Sequence, residues 1–124
     1  MDDLRRSPTM AHLLSALERG EDIGHYGRLT FAMVAQHFLD DEELVRLLRQ
    51  DRDMDETKAR ALVQQVRERD YTPPRRERIL EWQKEQEFPI IPDADDPDAG
   101  NVYRELRFPD NVYEHIEEYH EHKV

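Results

Sequence analysis

The chain is organised around residues 25–39, which read HYGRLTFAMVAQHFL. Between Leu29 and Ala35 this stretch has no charged residue and is apolar on nearly every side, which is typical of a helix buried in a protein core. His25 and Arg28 are three residues apart at its beginning, a spacing that puts both side chains on one face of a helix. We therefore predict a central buried helix over 25–39 with cationic groups at its first turn.

Length and composition predict one all-α domain. The chain has 124 residues, enough for a single hydrophobic core, and its 38% charged and 37% hydrophobic residues are typical of a small helical protein. We expect a compact domain of about five to six helices with an irregular proline-rich segment near the C-terminus. Within it, residues 1–7 are expected to be a disordered tail, residues 8–108 the core and residues 109–124 a terminal helix.

Charge and cysteine content exclude several classes of protein. The 29 acidic and 18 basic residues give a net charge of −11, which repels polyanions at long range, so any anion site must be a local basic patch. The chain has no cysteine, which excludes disulfides and thiolate metal sites. The longest apolar stretch is far shorter than the roughly 20 residues of a transmembrane helix, and the N-terminus lacks the apolar core of a secretion signal. We therefore expect a cytoplasmic protein.

Capping residues mark where several helices begin. Ser7 followed by Pro8 predicts the start of the first helix, because serine is a good N-cap and proline loses no hydrogen bond at the first helical position. Asp40 is expected to cap the third helix, and either Asp53 or Asp55 the fourth.

Three arginines follow the predicted start of another helix. Thr72 is the expected N-cap and Pro73 the first helical residue, so Arg75, Arg76 and Arg78 fall in or near the first turn. Cations there oppose the helix dipole, whereas free amides and clustered guanidinium groups together suit a phosphate. One interpretation is an anion site, and the other is a solvated face neutralised by neighbouring glutamates.

Some acidic and histidine-containing stretches resemble metal sites. Asp51, Asp53 and Asp55 alternate along the chain, but their neighbours are too polar for a catalytic strand, and a polar linker is the alternative. The acidic loop over 93–98 has an aspartate where a calcium loop needs glycine. The histidines near the end of the chain suit either a metal site or a solvated terminus: His115, His120 and His122.

The order of three short motifs resembles one protein family. Pro8-Thr9-Met10 precedes a leucine-rich helix, His25-x-Gly27-Arg28 opens the apolar helix, and Asp70-Tyr71-Thr72-Pro73 heads a later one. Over roughly residues 8–108 the chain resembles the C-terminal domain of the archaeal and eukaryotic DNA primase large subunit. The resemblance implies a helical domain that holds a 4Fe–4S cluster through four cysteines. It also implies a role in primer synthesis, through binding of the template and the triphosphate of the initiating nucleotide.

The chain departs from that family at the cluster. The four ligand positions are occupied by Thr9, Arg76, Ile91 and Gly100, so no iron–sulfur cofactor is expected. Packing of the loop over 88–108 would have to replace the link that the cluster provides. The loss fits a cysteine-free accessory subunit, a repurposed domain or an engineered stabilised variant. If the resemblance holds, the four positions should converge in the fold.

The resemblance also assigns template and phosphate contacts. It assigns them to His25 and Arg28, and to Lys58 and Arg60 on the helix before the Asp70-Tyr71-Thr72-Pro73 motif. The alternatives are a loop histidine bonded to the backbone for His25, and a salt bridge at the helix end for Arg28. With the arginines after Pro74, the predicted nucleic-acid and triphosphate site contains His25, Arg28, Lys58, Arg60, Arg75, Arg76 and Arg78.

The leading functional prediction is binding, not catalysis. We expect an accessory module that holds single-stranded DNA template or the 5′-triphosphate of an initiating nucleotide and acts with a separate primase-polymerase catalytic subunit. The alternative is a protein-interaction module on the same scaffold that has lost nucleotide binding, which the net charge of −11 suits. A third alternative is a metal-dependent enzyme that uses the aspartates or terminal histidines.

Overall fold

The computed structural model describes residues 3–69 and 71–114, and this part of the chain is all-α. It begins with a 3₁₀ turn at Leu4–Arg6, and residues 110–114 at its end are also helical. Between them lie α1 Pro8–Glu18, α2 Gly24–Ala35, α3 Asp41–Leu48, α4 Glu56–Glu68, α5 Arg76–Gln83 and α6 Val102–Glu105.

Helix α2 lies at the centre of the fold. It packs against α1, α3, α4 and α5, and its residues Phe31, Ala32 and Val34 are fully buried. The predicted central buried helix is confirmed, because an uninterrupted apolar stretch can be accommodated only where other helices cover every side.

The central helix is shorter than predicted. It ends at Ala35 and is followed by a tight turn over 36–38, so the expected end at Leu39 is wrong. The guanidinium group of Arg67 on α4 donates to the carbonyl oxygens of Gln36 and Leu39, at 2.7 and 3.0 Å. These bonds satisfy backbone groups that a longer helix would have paired internally.

The predicted N-caps of α1, α3 and α4 are confirmed. Ser7 Oγ accepts the backbone N–H of Met10 at 3.2 Å, and Pro8 is the first residue of α1. The carboxylates of Asp40 and Asp55 each accept a backbone N–H three residues on, at 2.8 Å in both cases. Of the two candidates for α4, Asp55 is therefore the cap.

Residues 3–7 are not a free tail, which corrects the expected disordered segment over 1–7. Leu4 is fully buried in the core, and the hydroxyl of Ser7 donates to the Glu105 carboxylate at 2.8 Å. Burying a leucine side chain stabilises a fold by roughly 1.5–3 kcal/mol, which is enough to hold so short a segment in place. Residues 1–2 lie outside the described part.

Helix α5 begins at Arg76, with Arg75 at the N-cap, so the predicted cap at Thr72 is wrong. A residue that precedes proline is disfavoured in the α conformation. Thr72 precedes Pro73, and Pro73 precedes Pro74, so both residues are disfavoured as helical positions and a start at Pro73 is unfavourable. Both prolines are buried, and the hydroxyl of Tyr103 donates to the carbonyl of Pro73.

The segment over 88–109 is irregular apart from the short helix α6. It packs back on the helices as predicted, with Ile90, Ile91 and Val102 buried. The terminal helix is described only over 110–114, and the histidines at 115, 120 and 122 lie outside the described residues. No helix within 3–69 or 71–114 is long and apolar enough to cross a bilayer.

Replacing Glu105 with glutamine is expected to stabilise the protein at neutral pH. Burial, together with the nearby charge of Asp96, raises the pKa of Glu105, and the hydrogen bond from Ser7 only partly opposes this. A carboxyl whose pKa is higher in the folded state costs stability when it is ionised. That cost disappears as the pH falls through the folded pKa and below the unfolded value of about 4.3.

Urea unfolding of Glu105→Gln and wild type should therefore differ at pH 7 and converge in acid. Glutamine keeps an oxygen that can accept from Ser7 while removing the charge. Glu114→Gln, at an exposed position on the following helical turn, is the control and should follow wild type at every pH. A stability difference for Glu105→Gln that does not change with pH would contradict this explanation.

Candidate nucleic-acid interface

Three of the four positions assigned to cluster ligands lie together, and the fourth borders an adjacent cleft. A Cβ atom on Gly100 would be 2.4 Å from Cδ1 of Ile91 and 3.6 Å from Cγ of Arg76. Thr9 is fully buried and lines a cleft of about 310 Å³ with Pro92 and Ala99, the chain neighbours of Ile91 and Gly100. Arg76, Ile91 and Gly100 thus form one junction between α5 and the segment over 91–100, and Thr9 on α1 borders the cleft next to it.

Arg76 fastens this junction from the α5 side. Its guanidinium group donates from Nε to the carbonyl of Ala99 at 2.8 Å, and from Nη2 to the carbonyls of Ala94 and Asp96 at 3.0 and 3.2 Å. Because its donors serve backbone carbonyls of the acidic segment, Arg76 is a packing residue. The predicted phosphate contact at Arg76 is therefore replaced by an internal one.

The residues at the junction do not fit an iron–sulfur cluster. Such clusters are held by thiolates, sometimes with histidine, and the chain contains no cysteine. Ile91 and Gly100 offer no side-chain donor atom, and the Ile91 side chain itself fills the space beside Gly100.

Arg28 is held inside the protein by carboxylates. Its side chain is 11% exposed, and Nη1 lies 3.0 Å from Asp22 and 3.3 Å from Asp51. The Asp51 side chain is fully buried and also accepts the backbone N–H groups of Ile23 and Asp53, at 2.9 and 2.8 Å. The salt-bridge alternative thus describes Arg28 in this structure, and a phosphate would have to compete with these carboxylates for its guanidinium group.

The same contacts account for the alternating aspartates. Asp51 binds Arg28 and two amides, and Asp55 caps α4. In the described part of the chain, no group of three or more histidine, cysteine, aspartate or glutamate residues is arranged to hold a metal ion.

Helix α4 carries two of the predicted site residues, Lys58 and Arg60. Arg60 binds both carboxylate oxygens of Glu42 on α3, at 2.8 and 3.0 Å, and lies 3.6 Å from Glu56. This pairing lowers the pKa of Glu42. Lys58 is exposed in the first turn of α4. Both residues predicted on this helix are exposed, and Arg60 is paired with carboxylates at the surface.

Helix α5 carries a cationic and aromatic face. Arg75, Arg78 and Trp82 are spaced three and then four residues apart, which places them along one side of the helix. The guanidinium carbon of Arg78 lies 5.9 Å from the centroid of the Trp82 ring, within the range of a cation–π contact. Arg75 also borders a cleft of about 440 Å³ that includes Asn101 and Tyr103.

Trp82 continues into an aromatic stack with the first turn of α2. The rings of Tyr26 and Trp82 are nearly parallel, with centroids 5.6 Å apart and an angle of 14° between planes. His25 contacts Tyr26 edge-on at 5.2 Å. Tyr26 and Trp82 are half-buried, whereas His25 and Arg78 are exposed. We call His25, Tyr26, Trp82 and Arg78 the aromatic stack.

The aromatic stack brings together two predicted residues, His25 and Arg78, through two that sequence reasoning missed. Trp82 is the only tryptophan and lies four residues after Arg78, a helical spacing that could have indicated contact. Tyr26 lies inside the His25-x-Gly27 motif.

The side chain of Gln86 links the two parts of the aromatic stack, the first turn of α2 and the end of α5. Its oxygen accepts the backbone N–H of Tyr26 at 2.9 Å, and its nitrogen donates to the carbonyls of Ile23 and Phe88, at 2.8 and 3.0 Å. Gln86 follows α5 by three residues, so these bonds hold the end of α5 against the start of α2.

No protein-family model, curated protein or solved structure matches this chain.

Proposed function

We propose that this protein is a non-catalytic accessory module for primer synthesis. It binds single-stranded DNA template, the 5′-triphosphate of an initiating nucleotide, or both, and works beside a separate primase-polymerase catalytic subunit. The observation that carries the proposal is the meeting of positions 76, 91 and 100 at one junction, with position 9 at the cleft beside it.

That meeting supports the proposal because the four positions are far apart in the sequence. In the primase-type domain they would be neighbours because they once shared one cluster. Thr9, on α1, lines the same cleft as Pro92 and Ala99, which lie more than eighty residues later in the chain. In this chain, the contacts of Arg76 and Ile91 take over the fastening role.

The ligand surface is smaller than the sequence predicts. Arg28 and Arg76 bond to other parts of the protein, and Arg60 pairs with Glu42 at the surface. The leading candidates are then Lys58 and the exposed residues His25 and Arg78. For a single strand, each phosphate that a protein neutralises makes the slope of log affinity against log salt concentration steeper by about 0.7. We therefore expect a shallow salt dependence and a preference for short ligands.

Replacing Arg78 with alanine is expected to weaken binding of a short single-stranded oligonucleotide about fivefold. It should also reduce the slope of log affinity against log salt by about 0.7. The reason is that the substitution removes one cation that would contact a phosphate of the ligand. Fluorescence anisotropy at low ionic strength, with the oligonucleotide or with a nucleoside triphosphate as competitor, measures both quantities.

Arg46→Ala is the matched control for Arg78→Ala. Arg46 is exposed on α3 and lies 3.7 Å from Glu43, so its loss changes net charge equally without touching α5. It should leave the affinity nearly unchanged. Absence of binding to either ligand at low salt would overturn the proposed function.

A second candidate is a protein-interaction module that has lost nucleotide binding. It is favoured by the internal pairing of Arg28 and Arg60 and by the net charge of −11, which suits a basic partner. Co-purification with a polymerase subunit, together with no measurable affinity for nucleotide or single strand, would favour this candidate.

A further inference from the structure

We infer that the Tyr26–Trp82 pair is a stacking platform for an unpaired nucleobase, with Arg78 beside it to meet the adjoining phosphate. The inference deepens the proposed function and rests on it, since it names the part of the ligand that the aromatic stack recognises. Nucleobases suit such a platform because every base has a flat π-face, so that binding tolerates any sequence.

The exposure of the pair separates it from the aromatic core. Phe31 is fully buried and Phe108 is 2% exposed, whereas Tyr26 and Trp82 pack against the core and remain half-buried. Their rings are nearly parallel and 5.6 Å apart, an offset arrangement that leaves aromatic surface at the protein boundary. A half-buried indole leaves part of its apolar area in water, which packing alone does not favour.

The charged residues along and after α5 would orient a strand bound at the platform. Arg78 lies one turn before Trp82, toward the positive N-terminal end of the helix, and Glu85 lies three residues after it. Arg75 extends the cationic side by a further turn. A base stacked at Trp82 would therefore send its phosphates toward Arg78 and away from Glu85.

The dimensions fit a short single strand. From Arg75 to Trp82 the helix rises roughly 10 Å, which corresponds to about three stacked nucleotides. Duplex DNA hides its base faces within its own stack and brings more charge near an acidic protein. Duplex of the same length should therefore bind more weakly than single strand.

The platform is fixed before any ligand arrives. The three hydrogen bonds of Gln86 hold the backbone of Tyr26 to the end of α5, so the two rings do not have to be ordered on binding. Preorganisation of this kind lowers the entropic cost of association.

The test uses the fluorescence of Trp82, the only tryptophan in the chain. A short oligonucleotide is expected to quench this fluorescence, with the same midpoint as the anisotropy titration. An abasic oligonucleotide of equal length, which keeps the phosphates and lacks bases, should bind at least about fivefold more weakly and quench little. Trp82→Leu should lose affinity to a similar extent.

Phe38→Leu is the control for Trp82→Leu, since Phe38 is half-buried and packs on Phe108, away from α5. It should keep wild-type affinity. If the oligonucleotide and its abasic form bind equally, without quenching in the wild-type protein, the stacking inference is overturned and the proposed function stands. If neither binds by anisotropy, the proposed function fails and the inference fails with it.

Discussion

Replacing Arg28 with methionine is expected to lower the free energy of unfolding by about 3–5 kcal/mol. Methionine has a similar length and fills the space of the arginine stem, so the main change is loss of the charge. The carboxylate of Asp51, which is fully buried, would then keep its two amide donors and lose its cation. An uncompensated buried charge is among the few single changes with so large an effect.

Urea denaturation of three variants tests this explanation. Arg46→Met removes an exposed arginine that pairs with Glu43 at 3.7 Å, and should cost less than about 1 kcal/mol. Combining Arg28→Met with Asp51→Asn should recover part of the loss, because asparagine carries no charge and its oxygen can still accept the N–H of Ile23.

A different result would restore the original interpretation of Arg28. If Arg28→Met is as stable as wild type and binds single-stranded DNA more weakly, then the guanidinium group contacts ligand and its carboxylate partners are incidental. A loss of binding with a parallel loss of folded protein would leave Arg28 as a structural residue.

The location of Asp51 explains why the sequence misled at Arg28. The N-caps were predictable because each joins residues only three positions apart, and the buried face of α2 was predictable because periodicity is local. Arg28 and Asp51 are 23 residues apart, and their contact depends on how the loop after α3 packs on the start of α2. No local sequence pattern specifies which of the aspartates in that loop will contact Arg28.

The aromatic stack could not be predicted for the same reason. Tyr26 and Trp82 lie on two helices that meet only once α5 has packed on α2, and the start of α5 was itself misplaced. The two prolines moved that start to Arg76, which turned the Arg76 guanidinium toward the carbonyls of Ala94, Asp96 and Ala99.

Replacing Gly100 with alanine is expected to lower the free energy of unfolding by about 2–4 kcal/mol. Two separate costs add. The φ angle of Gly100 is +86°, a backbone conformation that costs an L-residue about 1–2 kcal/mol. The new methyl would also lie 2.4 Å from Cδ1 and 2.8 Å from Cγ1 of Ile91, which requires the isoleucine or the backbone to move.

Gly20→Ala separates the backbone cost from the steric cost. Gly20 has a similar φ of +71°, but a Cβ there would meet only the carbonyl oxygen of Gln50, at an ordinary 3.7 Å. Its cost in urea denaturation should therefore be about 1–2 kcal/mol, from the backbone alone. The excess measured for Gly100→Ala then reports how firmly Ile91 is held.

Combining Gly100→Ala with Ile91→Ala should be less destabilising than the sum of the two single changes, by about 1–2 kcal/mol. Ile91→Ala alone leaves a cavity, and the methyl of the second substitution enters that space. Equal costs for the two glycine variants, with additive double-mutant energies, would mean that Ile91 moves aside freely. Coupling of the expected size would mean that Ile91, Gly100 and Arg76 form a rigid contact, and that close packing holds α5 to the 91–100 segment where the resembled domain uses a cluster.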